Sequence, residues 1–78
     1  DAGGTRVQLS PLEFGVLETL LSLRGKPVAR VHLIERVWGT SYDGGSNTVD
    51  VVVRNLRKKL GPVADRVETV RGVGYRLR

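Results

Sequence analysis

The chain has 78 residues with no cysteine, 13 Lys or Arg against 8 Asp or Glu, a net charge of +5 and a pI near 10.5. That length holds one small domain with a modest core; the composition excludes disulfides and thiolate chemistry. No apolar run approaches the roughly 20 residues of a membrane span, no leader pattern is visible, and a positive balance on so small a domain points to an anionic partner.

Residues 1–4 are polar and glycine-containing and read as a turn or a cut end. Residues 5–9 (TRVQL) alternate as a short strand does, with Val7 and Leu9 on one face. A lone strand is not stable, so it pairs either with a later hairpin or with strands upstream. Ser10-Pro11-Leu12-Glu13 then starts a helix. Ser10 caps, Pro11 takes the first helical position and Glu13 completes a capping box. Leu9 and Phe14 are spaced for a hydrophobic staple. The helix is expected to reach about Arg24, with Leu12, Val16, Leu17, Leu20, Leu21 and Leu23 in the core and Gly25 as its left-handed stop. Glu13 and Glu18 are expected on its surface or at its start and form no catalytic pair.

Lys26-Pro27-Val28 is a short extended link. A second helix is expected over residues 30–38, with Leu33, Ile34, Val37 and Trp38 as its apolar stripe, although Ala29 stands where a capping Ser or Thr belongs. His32 is the only histidine. Without a second histidine or a cysteine it makes no metal site and is expected on the surface. Residues 39–46 (GTSYDGGS) are a loop longer than the turn of a tight helix-turn-helix. Tyr42 in this loop either packs back on the core or faces a partner.

Asn47–Leu60 (NTVDVVVRNLRKKL) is an amphipathic helix. Val49, Val52, Val53, Leu56 and Leu60 recur at steps of three and four on one face. Val51, Arg54, Asn55 and Lys58 lie opposite, a mixture that suits phosphates and base edges. Asn47 is expected to cap, with Asp50 in a capping-box position and also four residues before Arg54. Gly61 and Pro62 end the helix, and residues 63–65 connect onward. Residues 66–78 (RVETVRGVGYRLR) read as two strands around Gly72-Val73-Gly74. Tyr75 and Leu77 share a face, and Val67 and Val70 call for a bulge or twist in the first strand. From Arg54 onward the cations Arg54, Arg57, Lys58, Lys59, Arg66, Arg71, Arg76 and Arg78 face only Asp65 and Glu68.

No catalytic constellation is present. Gly72-Val73-Gly74 lacks the following helix, lysine and hydroxyl of a nucleotide loop. The order helix, short strand, helix, loop, basic helix, basic hairpin is that of an α+β winged helix. It has a three-helix core, a helix-turn-helix and a C-terminal β-hairpin wing. The third helix would enter a DNA major groove and a wing arginine would reach the minor groove.

The segments LSPLEFGVLETLL, LIERVWG, NTVDVVVRNLRKKL and VETVRGVGYRL resemble the effector domain of OmpR/PhoB-type bacterial two-component response regulators, across most of the chain. The resemblance implies a DNA-binding transcription regulator with no enzyme activity, metal or cofactor. It implies base contacts from Val51, Asn55 and Arg71. It implies phosphate contacts from Thr48, Arg54, Arg57 and Thr69, with Lys58 on the same helix and Trp38 and Tyr75 as further backbone contacts. Val51 would meet thymine methyls. Asn55 stands where relatives often carry an arginine and suits adenine N6/N7 better than guanine. Two further departures are Asn47, at a position basic in some relatives, and Val52, in place of a frequent polar residue.

The family's loop, here Thr40, Ser41, Tyr42 and Asp43 within residues 39–46, faces RNA polymerase in some members. The resemblance also implies that residues 1–78 are one effector domain lacking most of the family's N-terminal sheet and the receiver domain. Such a piece would be cytoplasmic, monomeric in solution and tandem on double-stranded DNA. Two other classes compete. One is a protein-interaction winged helix docking a partner through residues 39–46. The other is non-specific or RNA binding by a small basic domain.

Overall fold

Ser10 fixes the start of the first helix. Its hydroxyl accepts the Glu13 backbone N–H at 3.2 Å, and its own N–H donates to Glu13 Oε1 at 2.9 Å. With Pro11 at the first position this sets α1, Pro11–Ser22. The structure, a computed structural model, describes residues 8–39, 42, 44, 45 and 47–78. Among these, Gln8 and Leu9 belong to no strand. The rest of the strand expected over 5–9 lies outside the described residues. The helix stops short of Arg24, because Arg24 (φ 49°) and Gly25 (φ 85°) both turn left-handed after Leu23.

The buried face of α1 is narrower than its sequence suggests. Val16 and Leu20 are fully buried, and Leu17 and Leu23 pack at the core edge. Leu12 and Leu21 are exposed, contrary to expectation, and so is Phe14, which forms no staple although Leu9 packs on the core. The apolar residues of α1 occupy more than one helical face, and a core this small meets only one. That face also holds Thr19, whose hydroxyl donates to the Gly15 carbonyl at 2.8 Å.

Glu13 is buried, not a surface acid. Its Oε1 accepts Lys59 Nζ at 2.7 Å, tying the start of α1 to the last turn of the third helix. Lys59, and next the Ser10 N–H, hold this carboxyl below the ordinary glutamate range, against the opposing effect of burial. The unfolded chain therefore binds the extra proton on acidification. The stabilisation is present above about pH 4.3 and is lost as pH falls through the lowered folded value. Glu13→Gln is expected to cost about 1–2 kcal/mol at pH 7, the size of a charge-assisted hydrogen bond. Urea melts of both proteins from pH 7 to 3 should show that difference shrinking in acid. A constant difference would remove the carboxylate charge as its source.

The second helix is α only over Arg30–Leu33 (α2) and widens into a π-helical turn over Ile34–Trp38. The Gly39 N–H donates to the Ile34 carbonyl, five residues back, at 2.9 Å. Leu33 and Ile34 are buried, while His32 is exposed. The third helix, α3, is Asn47–Leu60, and Gly61–Arg66 continues as a 3-10 segment where a plain connector was expected. Val49, Val52, Val53 and Leu56 are buried with Leu60 at the edge, so Val52 joins the core.

A three-stranded antiparallel sheet closes the chain. Val28–Ala29 is β1, Val67–Val70 is β2 and Gly74–Leu77 is β3, in the order β1-β3-β2. The extended link before α2 is thus the third strand of the wing sheet. The β2–β3 register runs Val67↔Leu77, Glu68↔Arg76, Thr69↔Tyr75, Val70↔Gly74 without interruption, so there is no bulge. Val67 is buried, and Val70 is half-buried on the opposite face, across from Gly74. Three helices with this hairpin make a winged helix. Its core joins Val16 and Leu20 of α1, Leu33 and Ile34, the buried face of α3, and Val28, Val67 and Tyr75 of the sheet.

Candidate nucleic-acid interface

The outer face of α3 carries Val51, Arg54, Asn55 and Lys58, all exposed. Val51 is 49% exposed although Val49 and Val53, two residues to either side, are fully buried. At 100° per residue these four side chains fall within about one third of the helix circumference. Thr48, half-buried, lies at the edge of the same arc, and Asn47 is exposed at the first position of α3. At the other end of the sheet, Arg71 and Gly72 form the exposed wing turn. The Val73 N–H bonds to the Val70 carbonyl at 3.0 Å and Gly72 takes φ 78°.

The cations divide into two groups. Arg30 pairs with Asp50 at 2.8 Å, Lys59 with Glu13, and Arg76 with Glu68 across the hairpin. Arg66 Nε donates to the Arg78 carbonyl at 2.7 Å. Arg54, Lys58 and Arg71 make no ion pair and no side-chain hydrogen bond among the described residues. They are therefore available to an anion without first breaking an internal contact.

Two of the expected phosphate contacts also have partners within the fold. Arg57 is half-buried; its Nε and Nη2 donate to the Val67 carbonyl at 3.0 and 2.7 Å, and Nη2 donates to Thr69 Oγ1 at 2.9 Å. Tyr75 is 4% exposed and its hydroxyl donates to Asp50 Oδ1. Both are held by partners the sequence does not announce: a phosphate would have to displace the Tyr75–Asp50 bond, whereas Arg57 keeps its Nη1 donors beside its grip on Val67 and Thr69. Asp50 follows the same logic. It turns to Arg30 and Tyr75, not to the Asn47 N–H of a capping box and not to Arg54.

Electrostatics fixes this cluster in one protonation state. The Tyr75 hydroxyl, and then Arg30, hold the Asp50 carboxyl below its ordinary range against the effect of burial. Burial first, and the Asp50 bond second, push the Tyr75 hydroxyl up, and Asp50 raises Arg30. At neutral pH the carboxylate is charged, the phenol keeps its proton, and both bonds are made.

Trp38 is half-buried, packs against the core, and lies 6.1 Å from the Tyr42 ring at a tilt of 39°. Tyr42 therefore leans on Trp38 while keeping an exposed edge. The other candidates of that loop, Thr40, Ser41 and Asp43, lie outside the described residues. Sequence reasoning missed Arg30 altogether. Its only signal was position at the start of a poorly capped helix, which does not reveal a partner twenty residues away. No helix among the described residues is long and apolar enough to cross a membrane.

Residues 4–77 match the family described as "Transcriptional regulatory protein, C terminal". The transcriptional regulatory protein TcrA of Mycobacterium tuberculosis is 43% identical over 76 residues, which is 95% of this chain and 30% of TcrA. The DNA-binding domain of Bacillus subtilis CssR superposes with a TM-score of 0.90 at 36% identity, covering 100% of this chain and 86% of that one. The Klebsiella pneumoniae RstA DNA-binding domain, solved in complex with the RstA box, gives a TM-score of 0.79 at 37% identity and covers 96% and 77%. The chain spans about a third of the length of the curated relatives it matches.

Proposed function

The chain belongs to the family of transcriptional regulatory protein C-terminal domains, and from that premise we propose that it binds double-stranded DNA sequence-specifically as a response regulator's output domain. Residues 1–78 are then one winged-helix unit of a longer cytoplasmic regulator, whose receiver domain controls it. One observation carries this reading: the exposed arc of α3 holds Val51, Arg54, Asn55 and Lys58 with no ion pair or side-chain hydrogen bond among the described residues, while the neighbouring Arg30 and Lys59 are ion-paired and Arg57 is hydrogen-bonded within the fold. RstA, the relative solved with DNA, supports it by similarity.

The roles follow from chemistry. Arg54, Lys58 and Thr48 would position α3 on phosphates. Val51 would contact a thymine methyl and Asn55 would read an adenine edge with its amide. Arg71 at the wing turn would enter a narrow minor groove. Thr69 Oγ1, already accepting from Arg57, could still donate its proton to a phosphate oxygen. Tyr42, exposed beside Trp38, is the described residue of the 39–46 loop that would meet RNA polymerase. The unit is a monomer in solution that binds in tandem on direct repeats.

Selection of bound duplexes from a random pool tests the proposal and gives the consensus. Enrichment of no sequence over the starting pool would sink it. Asn55→Ala is expected to cost about 1–3 kcal/mol at one base position only. An unchanged consensus after reselection with that variant would remove Asn55 from the readout.

A further inference from the structure

Resting on that DNA-binding reading, we infer that Arg30, Asp50, Arg57 and Tyr75 form a lock that fixes the wing against α3, so that Asn55 and Arg71 read DNA as one rigid unit. Asp50 and Tyr75 are positioning residues in this arrangement. Neither presents its polar group to the outer face of α3.

The geometry is a two-point attachment. At one point Asp50 Oδ1 accepts both Arg30 Nε, at 2.8 Å, and the Tyr75 hydroxyl, joining α2, α3 and β3. At the other, the Arg57 guanidinium grips the Val67 carbonyl and Thr69 Oγ1, joining α3 to β2. Asp50 and Arg57 are seven residues apart, two turns along one flank of α3 and next to Arg54. The β1–β3 pairs Val28↔Tyr75 and Ala29↔Gly74 hold β3 to the start of α2, and the two points add a fixed attachment of the hairpin to α3.

The Tyr75 ring fills the space between the points. The Arg30 and Arg57 guanidinium carbons lie 5.3 and 5.6 Å from its centroid, within cation–π range. Apolar burial of Val67 and Tyr75 also holds the hairpin, but burial is non-directional and tolerates sliding. Hydrogen bonds to fixed acceptors do not. Arg71 lies two residues beyond Thr69, so a pivot at the lock is carried directly to the wing turn.

The test uses the selected duplex and a second duplex whose wing-side flank is changed from A·T to G·C. Anisotropy titrations should show the unaltered chain preferring the first by about tenfold. Tyr75→Phe keeps the ring and both stacking arginines and loses only the bond to Asp50. It is expected to discriminate the two flanks by less than about twofold, and Arg71→Ala should add little in that background. Full flank discrimination in Tyr75→Phe, with additive loss on Arg71→Ala, overturns the lock. Should Tyr75→Phe fail to fold, Arg57→Lys replaces it. It keeps the charge and loses the two-pronged grip, and it carries the same two outcomes.

Failure of the DNA-binding reading is distinguishable. If the unaltered chain prefers no duplex, the orientation of the hairpin decides the lock without DNA. Residual dipolar couplings of the β2–β3 amides, referred to α3, report the hairpin's orientation: averaging of that orientation in Tyr75→Phe upholds the lock, and an unchanged fixed orientation overturns it.

Discussion

Gly74→Ala is expected to destabilise the chain by about 3 kcal/mol, the upper end of overpacking in a tight contact. A Cβ on Gly74 would sit 2.1 Å from the Val28 carbonyl oxygen and 3.1 Å from the Arg30 backbone nitrogen. Both are backbone atoms, so no side-chain rotation relieves the clash. Relief requires β1 to part from β3, which breaks the Val28↔Tyr75 and Ala29↔Gly74 pairs. It also displaces Arg30, the next residue, from Asp50. For a domain of this size a few kcal/mol is most of the total stability, so much of the population should be unfolded at 25 °C. Thermal and urea melts followed by circular dichroism measure this. A midpoint unchanged within error would mean that β1 yields without cost, and that the wing does not depend on it.

Affinity for the selected duplex is expected to fall about fortyfold between 50 and 200 mM monovalent salt. Arg54, Lys58 and Arg71 have no internal ion pair to break, so each phosphate they meet releases a condensed counterion. About three neutralised charges per domain, one for each of these side chains, give a log–log slope near −2.7. Arg54→Ala should reduce that slope by about one, because it removes one cation from the backbone set. Arg30 and Lys59 are paired internally and should contribute little to it. A slope indistinguishable from zero, on every duplex tried, would contradict backbone neutralisation altogether.

Both expectations depend on the same division of the charged residues. A net charge of +5 identifies an anionic partner only in a general way. The useful distinction is between cations that are spent inside and cations that are not. Arg57 and Arg54 stand three residues apart on one helix. One is half-buried and hydrogen-bonded to β2, and the other is exposed. Residue type does not separate them, and helical spacing only sets Arg57 nearer the edge of the apolar stripe. What separates them is where the hairpin passes.

The sequence by itself determined the features that depend on neighbours along the chain. The Ser10–Glu13 capping box, the buried stripe Val49, Val52, Val53 and Leu56, the exposed arc Val51, Arg54, Asn55 and Lys58, and the hairpin around Gly72 are all set by short fixed spacings. Local periodicity and capping chemistry need no tertiary information. Only the tertiary structure decided who answers Asp50, Glu13 and Arg57. Their partners lie 20 and 25 residues away for Asp50, 46 for Glu13, and 10 to 12 for Arg57. Asp50 has a nearer candidate in sequence, Arg54, that the fold passes over. The same holds for Phe14 and Leu21, apolar yet exposed, since the face of α1 that meets the core is chosen by where α3 lies. At Asp50 one part-buried carboxylate oxygen accepts two donors, which is worth more than a single exposed pair at i+4, so packing, once it brings the distant groups together, overrides the local choice.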